Sequence, residues 1–365
     1  MKKVVLFCGE NNVSLGAIRC LGEAGYRPIC YCFGHKCKYL LSSKYVGEGK
    51  VFNTIEDAFE QLRADFPDTN EKPVLLTIPD PPAHIIDMHK DEMDKKFILM
   101  SAGKAGAIVH WMDKKNISEL AQKHGLIIPW TIEMKKGDSV PDGLDYPVFT
   151  KSSSTTDGGK CDESVCRTKA ELDERVKTMV SERFLVMKYI QKKKEINYYG
   201  MSLKGRIYID YSDERTRFTT TGFGNYQKFS PCLKDELYDK IVAMIKATGY
   251  EGLFDVEFLQ GVDGNMYFLE VNFRLDGTLY RLSPGVNLPA EWCKWVETPE
   301  NKLPQSLTLK KKHFTGMSEK EDFRNSVLTG MVNPLKWFYQ FCTADKHMLI
   351  NFRDPKPFFI RLFQK

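Results

Sequence analysis

Glu257, Glu270, Asn272 and Arg274 are the residues of this chain whose types and spacing best suit chemistry. The stretch Leu253 to Leu259 is apolar-rich, Gly261 to Gly264 has turn composition, and Met266 to Val271 is apolar again. The segment therefore reads as two strands joined by a turn. Residues two apart in a strand face one side, so Glu270, Asn272 and Arg274 share a face and Glu257 can lie beside Glu270. Two carboxylates and an amide oxygen make an all-oxygen site of the kind Mg²⁺ prefers. The guanidinium at the far end suits an anionic oxygen or a carboxylate. Metal-assisted phosphate chemistry gives an apolar hairpin a reason to carry these groups. The competing reading is a structural ion-pair network on a sheet face.

The elements that must position the hairpin are legible upstream. Lys3 to Cys8 predicts a buried strand, Leu15 to Ala24 a helix punctuated by Gly25, and Arg27 to Phe33 a second strand. This β-α-β opening is typical of an α/β unit. Its glycines, Gly9 and Gly16, do not form the dinucleotide fingerprint G-x-G-x-x-G. Ile55 to Phe66 predicts a helix, Val74 to Ile78 a strand and Pro79 to Pro82 a break, with the first unit ending near residue 110. A helix follows from Lys114 to His124, with Asp113 as its N-cap and Gly125 as its stop. Pro147 to Lys151 is a short strand leading into a small-residue loop, Ser152 to Lys160. Ala170 to Ser181 reads as a helix, Phe184 to Ile190 as a strand, and Glu195 to Leu203 with Arg206 to Tyr211 as a strand pair turning at Lys204 and Gly205. Lys192 to Lys194 reads as a solvated turn. Leu233 to Thr248 predicts a helix stopped by Gly249, directly before the hairpin.

Composition sets bounds on this reading. At 365 residues the chain should hold two or three structural units. It is 42% hydrophobic and 28% charged, ordinary for a globular protein. A net charge of +5 is compatible with anionic substrates such as nucleotides but falls short of a nucleic-acid-binding signature. No apolar run approaches the length of a membrane span, and the N-terminus turns polar too early for a signal peptide. A cytoplasmic location is therefore expected. Several of the ten cysteines (Cys8, Cys30, Cys32) sit in apolar strand-like runs, where Cys acts as a small hydrophobe. The grouping of Cys30, Cys32, His35 and Cys37 matches no common zinc spacing. Beyond about residue 305 the chain is less regular and aromatic-rich. Its aromatic residues need burial as a cap on a site, a dimer interface or a partner-docking surface.

In this order the pieces resemble the ATP-grasp superfamily, whose members include D-aspartate ligase, D-alanine–D-alanine ligase, biotin carboxylase and the carbamoyl-phosphate synthase large subunit. The resemblance covers roughly residues 1 to 300, and Glu257 followed by Glu270, Asn272 and Arg274 is its most specific part. It implies a mixed α/β and α+β fold. A Rossmann-like pre-ATP-grasp domain would span 1–110, a small lobe with the phosphate loop 111–190, and a large lobe with the metal and acceptor site 191–305. A C-terminal extension would span 306–365, and an antiparallel sheet would lie at the active site.

The resemblance also implies site roles. Glu257, Glu270 and Asn272 would hold Mg²⁺, with Mn²⁺ as the alternative, on the phosphates of ATP. Lys114 and Lys151 would reach phosphate, with Lys115 adjacent to the first of these. Thr156, Gly158 and Gly159 of the loop would approach phosphate oxygens. The main chain of Lys188, Tyr189 and Ile190 would read the adenine edge, and Glu195 would bond the ribose. Arg274, with Lys151, would act in catalysis by steadying the acceptor carboxylate or its phosphorylated form. Arg281 would hold a second substrate carboxylate. Two positions depart from the family: Ser152 to Thr156 replace some loop glycines, and Met187 stands where an acidic residue is usual.

The activity implied is an ATP-dependent ligase that joins a carboxylate to an amine through an acyl phosphate. The substrate class would be an amino acid, a peptide or a cell-surface sugar precursor. The expected partners are small molecules, without nucleic acid or a membrane span, and family habit adds a homodimer. A reading from another class is a catalytically inactive ATP-binding regulator or scaffold. The intact Glu257, Glu270, Asn272 and Arg274 stand against it.

Overall fold

β1 (Val4–Gly9) is a run of six buried residues. Such a run fits the middle of a parallel sheet covered on both faces. In the computed structural model, which describes residues 2–153, 159–215, 217 and 225–363, β1 pairs in parallel with β2 (Ile29–Phe33) and with β4 (Val74–Ile78). The edge beyond β2 is β3 (Glu48–Phe52), so the order is β3-β2-β1-β4. β3 has no apolar pattern to announce it, because its residues are largely exposed, with Glu48 and Lys50 charged, as suits an edge. Pro79 to Pro82 does not break the chain. Asp80–Met88 is a helix with proline in its first turn, where a missing N–H costs nothing.

A second, antiparallel sheet has the order β5-β8-β6-β7. Its strands are β5 (Thr131–Lys135), β6 (Val148–Ser152), β7 (Ser164–Cys166) and β8 (Arg183–Lys188). The helix Lys114–Lys123 precedes it, and the Asp113 side chain caps that helix by accepting from the amides of Lys115 and Asn116.

The third sheet positions the site. It runs β13-β12-β9-β10-β11-β14-β15, built from β9 (Lys192–Leu203), β10 (Arg206–Arg215), β11 (Tyr226–Pro231), β12 (Gly252–Gly261), β13 (Met266–Asn272), β14 (Phe314–Met317) and β15 (Lys346–His347). Lys192 to Lys194 is thus the start of a strand rather than a turn. β9 and β10 meet at Lys204 (φ 49°) and Gly205 (φ 75°), the positive-φ pair that a tight hairpin turn needs. The aromatic tail adds β14 and β15 to this sheet.

One face of the sheet is apolar. Phe254, Val256 and Phe258 of β12 join Ile241, Met244 and Ile245 of the helix Glu236–Thr248 and Trp292 of the helix Leu288–Trp295 in one buried cluster. Each such side chain contributes about 1.5–3 kcal/mol by burial. That covered face holds the strands rigid, and the opposite face is polar.

Candidate active site

The polar face crosses four strands in register. Glu270 of β13 lies opposite Glu257 of β12, which lies opposite Asn197 of β9, which lies opposite Asp213 of β10. The next row sets Asn272 opposite Asp255. Asn272 Nδ2 donates to Asp255 Oδ2 at 3.1 Å and approaches Glu257 Oε1 at 3.3 Å. The helix Lys114–Lys123 packs against β13, held there by the bond from the Phe268 amide to the Ile127 carbonyl at 2.8 Å. This brings Lys114 Nζ to 3.9 Å from Glu270 Oε2. Lys115 turns away instead, toward Glu133 at 3.8 Å.

Lys114 also ties to the end of β6: its amide donates to the Ser153 carbonyl at 3.1 Å and its Nζ to the Ser152 carbonyl at 3.4 Å. Lys151, on β6, is buried. Burial, and then the charge of Lys114, lower the Lys151 ammonium to about 8, while Glu270, Glu163 and Glu257 pull the other way. Two lysines crowded into one corner suit a ligand of high negative charge.

Arg274 is anchored at several points. Its Nε bonds Asp80, at the start of the helix Asp80–Met88. Its Nη2 donates to Asn272 Oδ1 at 3.1 Å, and its Nη1 lies 3.7 Å from Asp276 Oδ2. Burial works against its charge, but Asp80, Asp255 and Asp276 raise its pKa further. The first unit thus supplies a carboxylate that orients an arginine of the hairpin.

The acidic groups press on one another. Burial, and then Glu270 across the strand pair, push the Glu257 carboxyl up to about 7, with Arg215 pulling it down. Burial raises Asp255 strongly, followed by the charges of Asp276 and Glu257. Among the described residues, Asp255 Oδ1 and Asn197 Nδ2 are buried without hydrogen-bond partners. Carboxylates that repel one another, with an orphaned oxygen beside them, are a donor set that fits a divalent cation. Among the described residues no three His, Cys, Asp or Glu side chains form a closed metal cage. Two carboxylates, with the Asn272 oxygen engaged by Arg274, leave much of the coordination shell to phosphate oxygens and water, the usual arrangement for Mg²⁺.

Arg281 occupies a neighbouring buried cluster. Its Nη1 donates to Ser318 Oγ at 2.5 Å, its Nη2 to Thr278 Oγ1 at 3.2 Å, and its Nε bonds Gln227. Arg215 reaches the same Thr278 oxygen at 3.4 Å and is paired to Asp213 at 2.9 Å. Among the described residues no carboxylate lies within 4.0 Å of Arg281. Burial, and then the adjacent Arg215, lower its pKa.

The remaining expected residues divide. Glu195 sits on β9 and accepts from Lys192 Nζ at 2.6 Å. The amides of Lys188 and Tyr189 are engaged by the carbonyls of Trp130 and Pro147 at 2.8 and 3.2 Å. Of that trio, the Ile190 amide alone has no main-chain partner among the described residues. Gly159 opens a short 3₁₀ turn, Gly159–Asp162. Thr156 and Gly158 lie outside the described residues. Sequence reasoning alone misses Asp80, Asn197, Asp213, Arg215, Asp255 and Asp276. For two of these, Asn197 and Asp255, a signal exists: polar residues alternate with apolar ones in Glu195–Tyr199 and Asp255–Glu257, the mark of a polar sheet face.

A sheet whose polar face gathers carboxylates, lysines and arginines beside a second antiparallel sheet defines a class. Residues 113–279 match the family described as carbamoyl-phosphate synthase L chain, ATP binding domain. That match covers less than half of the chain. No curated protein matches it in sequence. Among solved structures it is similar to an L-amino acid ligase from Bacillus licheniformis, with TM-score 0.62 and 14% identity over 82% of this chain and 75% of that one. It is also similar to N5-carboxyaminoimidazole synthetase from Staphylococcus aureus complexed with ADP, with TM-score 0.67 and 16% identity over 86% and 82%. A third similar structure is the biotin carboxylase domain of Hydrogenobacter thermophilus 2-oxoglutarate carboxylase with MgADP and bicarbonate, with TM-score 0.66 and 18% identity over 86% and 74%. At these identities the likeness is one of fold.

Proposed function

We propose that this chain is an ATP-dependent ligase that forms an amide between a carboxylate and an amine by way of an acyl phosphate. One observation carries the reading: Glu257, Glu270 and Asn272 share a sheet face with Lys114 and Arg274 at hand. The family match to an ATP-binding domain supports the nucleotide. The neighbours named as ligase and synthetase support the reaction class.

Phosphoryl transfer depends mainly on positioning and charge neutralisation. In this reading Glu257, Glu270 and Asn272 hold Mg²⁺, which supplies charge neutralisation at the phosphates when bound. Lys114 and Lys151 neutralise further phosphate oxygens. The Ile190 amide and the Glu195 carboxylate would face the base and the ribose. A substrate carboxylate attacks the γ-phosphorus, the bond to the β–γ bridging oxygen breaks, and ADP leaves. An amine then attacks the acyl carbon, phosphate departs and the amine loses a proton. Arg274, held in orientation by Asp80 and Asp276, would stabilise negative charge on the acyl oxygen in both steps. Arg281, a buried cation with no carboxylate within 4.0 Å among the described residues, would pair with a second anionic group on the substrate. A divided chain with boundaries near 110, 190 and 305 belongs to the same proposal.

The test is a coupled ADP-release screen over pairs of carboxylates and amines, followed by mass measurement of the product. The expected result is ADP release that needs both partners and yields a product lighter by one water than their sum. ADP release from no pair, with ATP still bound, would overturn the ligase reading.

A further inference from the structure

The tail treats its own charges unevenly. Residues 306–365 contain eleven Lys and Arg against five Asp and Glu, so the tail alone exceeds the net charge of +5 carried by the whole chain. Three of its carboxylates turn inward. Asp354 is paired with Arg19 at 3.0 Å, Asp322 accepts from Trp337 Nε1 at 2.8 Å and bonds Arg217, and Glu319 accepts from the amides of Met348 and Leu349, both at 3.0 Å. Its cations turn outward. Lys320, Arg324, Lys336, Arg353 and Lys356 are exposed. No salt bridge engages them among the described residues.

Three of these cations lie beside apolar groups: Lys336 and Lys356 on two helices, and Lys320 in the lining of the groove between them. The helix Pro334–Thr343 has no buried residue. It turns Trp337 and Phe341 toward a groove of about 330 Å³, which Phe358 and Leu362 of the helix Lys356–Phe363 line from the other side. On its far face Leu335, Phe338, Tyr339 and Cys342 follow the i, i+3, i+4, i+7 spacing of one helical stripe, with Leu335 80% exposed. The second helix repeats the pattern with Phe359, Leu362 and Phe363. Two short helices rimming one groove thus each offer an apolar stripe bordered by unpaired cations.

We propose that this face docks on an anionic lipid surface, with the aromatic and aliphatic side chains entering the headgroup boundary and the lysines and arginines meeting lipid phosphates. Charge selects this occupant. A second copy would bring the same unpaired cations face to face, since a two-fold contact sets a patch against itself. An anionic bilayer supplies the missing counter-charge and an apolar layer for the stripes. Among the described residues no helix is long and apolar enough to cross a membrane, so the attachment is peripheral.

The test is flotation of the purified full chain with vesicles of phosphatidylcholine alone and with increasing phosphatidylglycerol. Binding should appear with the anionic lipid and weaken as salt rises. Two variants probe the two contributions: Leu335→Ser with Phe338→Ser and Phe359→Ser, and Lys336→Glu with Lys356→Glu. All five positions are exposed, so each variant should keep its circular dichroism and melting temperature, and each should lose anionic-vesicle affinity by about tenfold or more. Equal binding to neutral vesicles, no binding to either, or unchanged binding by both variants would overturn the proposal. So would a dimer in light scattering that the serine variant converts to monomer, or binding to soluble nucleic acid that competes vesicles away and ignores the serine variant.

Discussion

Two regions of this molecule bury carboxylates, and they treat them in opposite ways. Asp354 accepts from Arg19 Nε at 3.0 Å, Ser43 Oγ at 2.9 Å and the Lys44 amide at 3.0 Å. Its charge is matched and its oxygens are occupied. On the hairpin face, buried Asp255 sits beside half-buried Glu257, which lies opposite half-buried Glu270, and the Lys114 ammonium stands at 3.9 Å from Glu270. There the charges repel one another, and Asp255 keeps an oxygen without a partner among the described residues. A buried charge fully paired within the chain fastens structure together. One pressed against like charges, with an oxygen left open, is arranged for something that arrives later.

The contrast is tested most severely at Asp354. Replacing it with alanine leaves the buried Arg19 guanidinium uncompensated, a loss of about 3–5 kcal/mol. Urea denaturation should register that loss, and ADP release per folded molecule should stay unchanged. A variant as stable as the parent would mean that the pair does not pin the tail to the first helix.

Glu270→Gln should do the reverse. Removing a repelling carboxylate leaves the fold as stable or slightly more so. Turnover at saturating nucleotide should fall by about 10²-fold, as when a preorganised electrostatic group is lost. Normal turnover at limiting Mg²⁺ would refute the metal assignment.

The difference between the regions also decides how much of each the sequence discloses. The shared face of Glu257, Glu270 and Asn272 is legible because alternation along an apolar hairpin puts their polar groups on one side. The helix Lys114–Lys123 is legible through its Asp113 cap. Asp80 is hidden, since a proline-rich stretch conceals a helix start and nothing local points to an arginine 194 residues away. Arg281 can be picked out, but its partners Gln227 and Ser318 come from β11 and the tail, which only the tertiary fold brings near. β3 is silent because an exposed edge strand carries no apolar pattern. Periodicity reports what faces the core, and long-range charge pairing leaves no such trace.

The two adjacent lysines repeat the contrast within one helical turn. Lys114 is buried and directed toward Glu270, whereas Lys115 is half-exposed and directed toward Glu133. Lys114→Met should weaken ATP binding or turnover by about tenfold, the effect of one charge-assisted contact. Lys115→Met should change neither beyond the small effect typical of an exposed ion pair. Equal effects in a nucleotide-binding titration would show that the first turn of the helix moves when the nucleotide binds.

A subtler consequence concerns protons. Without metal, the Glu257 carboxyl is held up at about 7 from its ordinary 4.5, first by burial and then by Glu270. Through that window the folded chain binds more protons at this site than the unfolded chain does. Stability must therefore fall as pH rises from 4.5 toward 7, and level off above. A divalent cation with nucleotide favours the charged carboxylate, lowers its pKa and removes the fall. Melting curves in EDTA should show the parent losing a few degrees relative to Glu257→Gln across this window, and MgADP should abolish the difference in slope. If the parent instead gained on the variant as pH rose in EDTA, Glu257 would be a satisfied carboxylate like Asp354, and the contrast between the two regions would fail at its central residue.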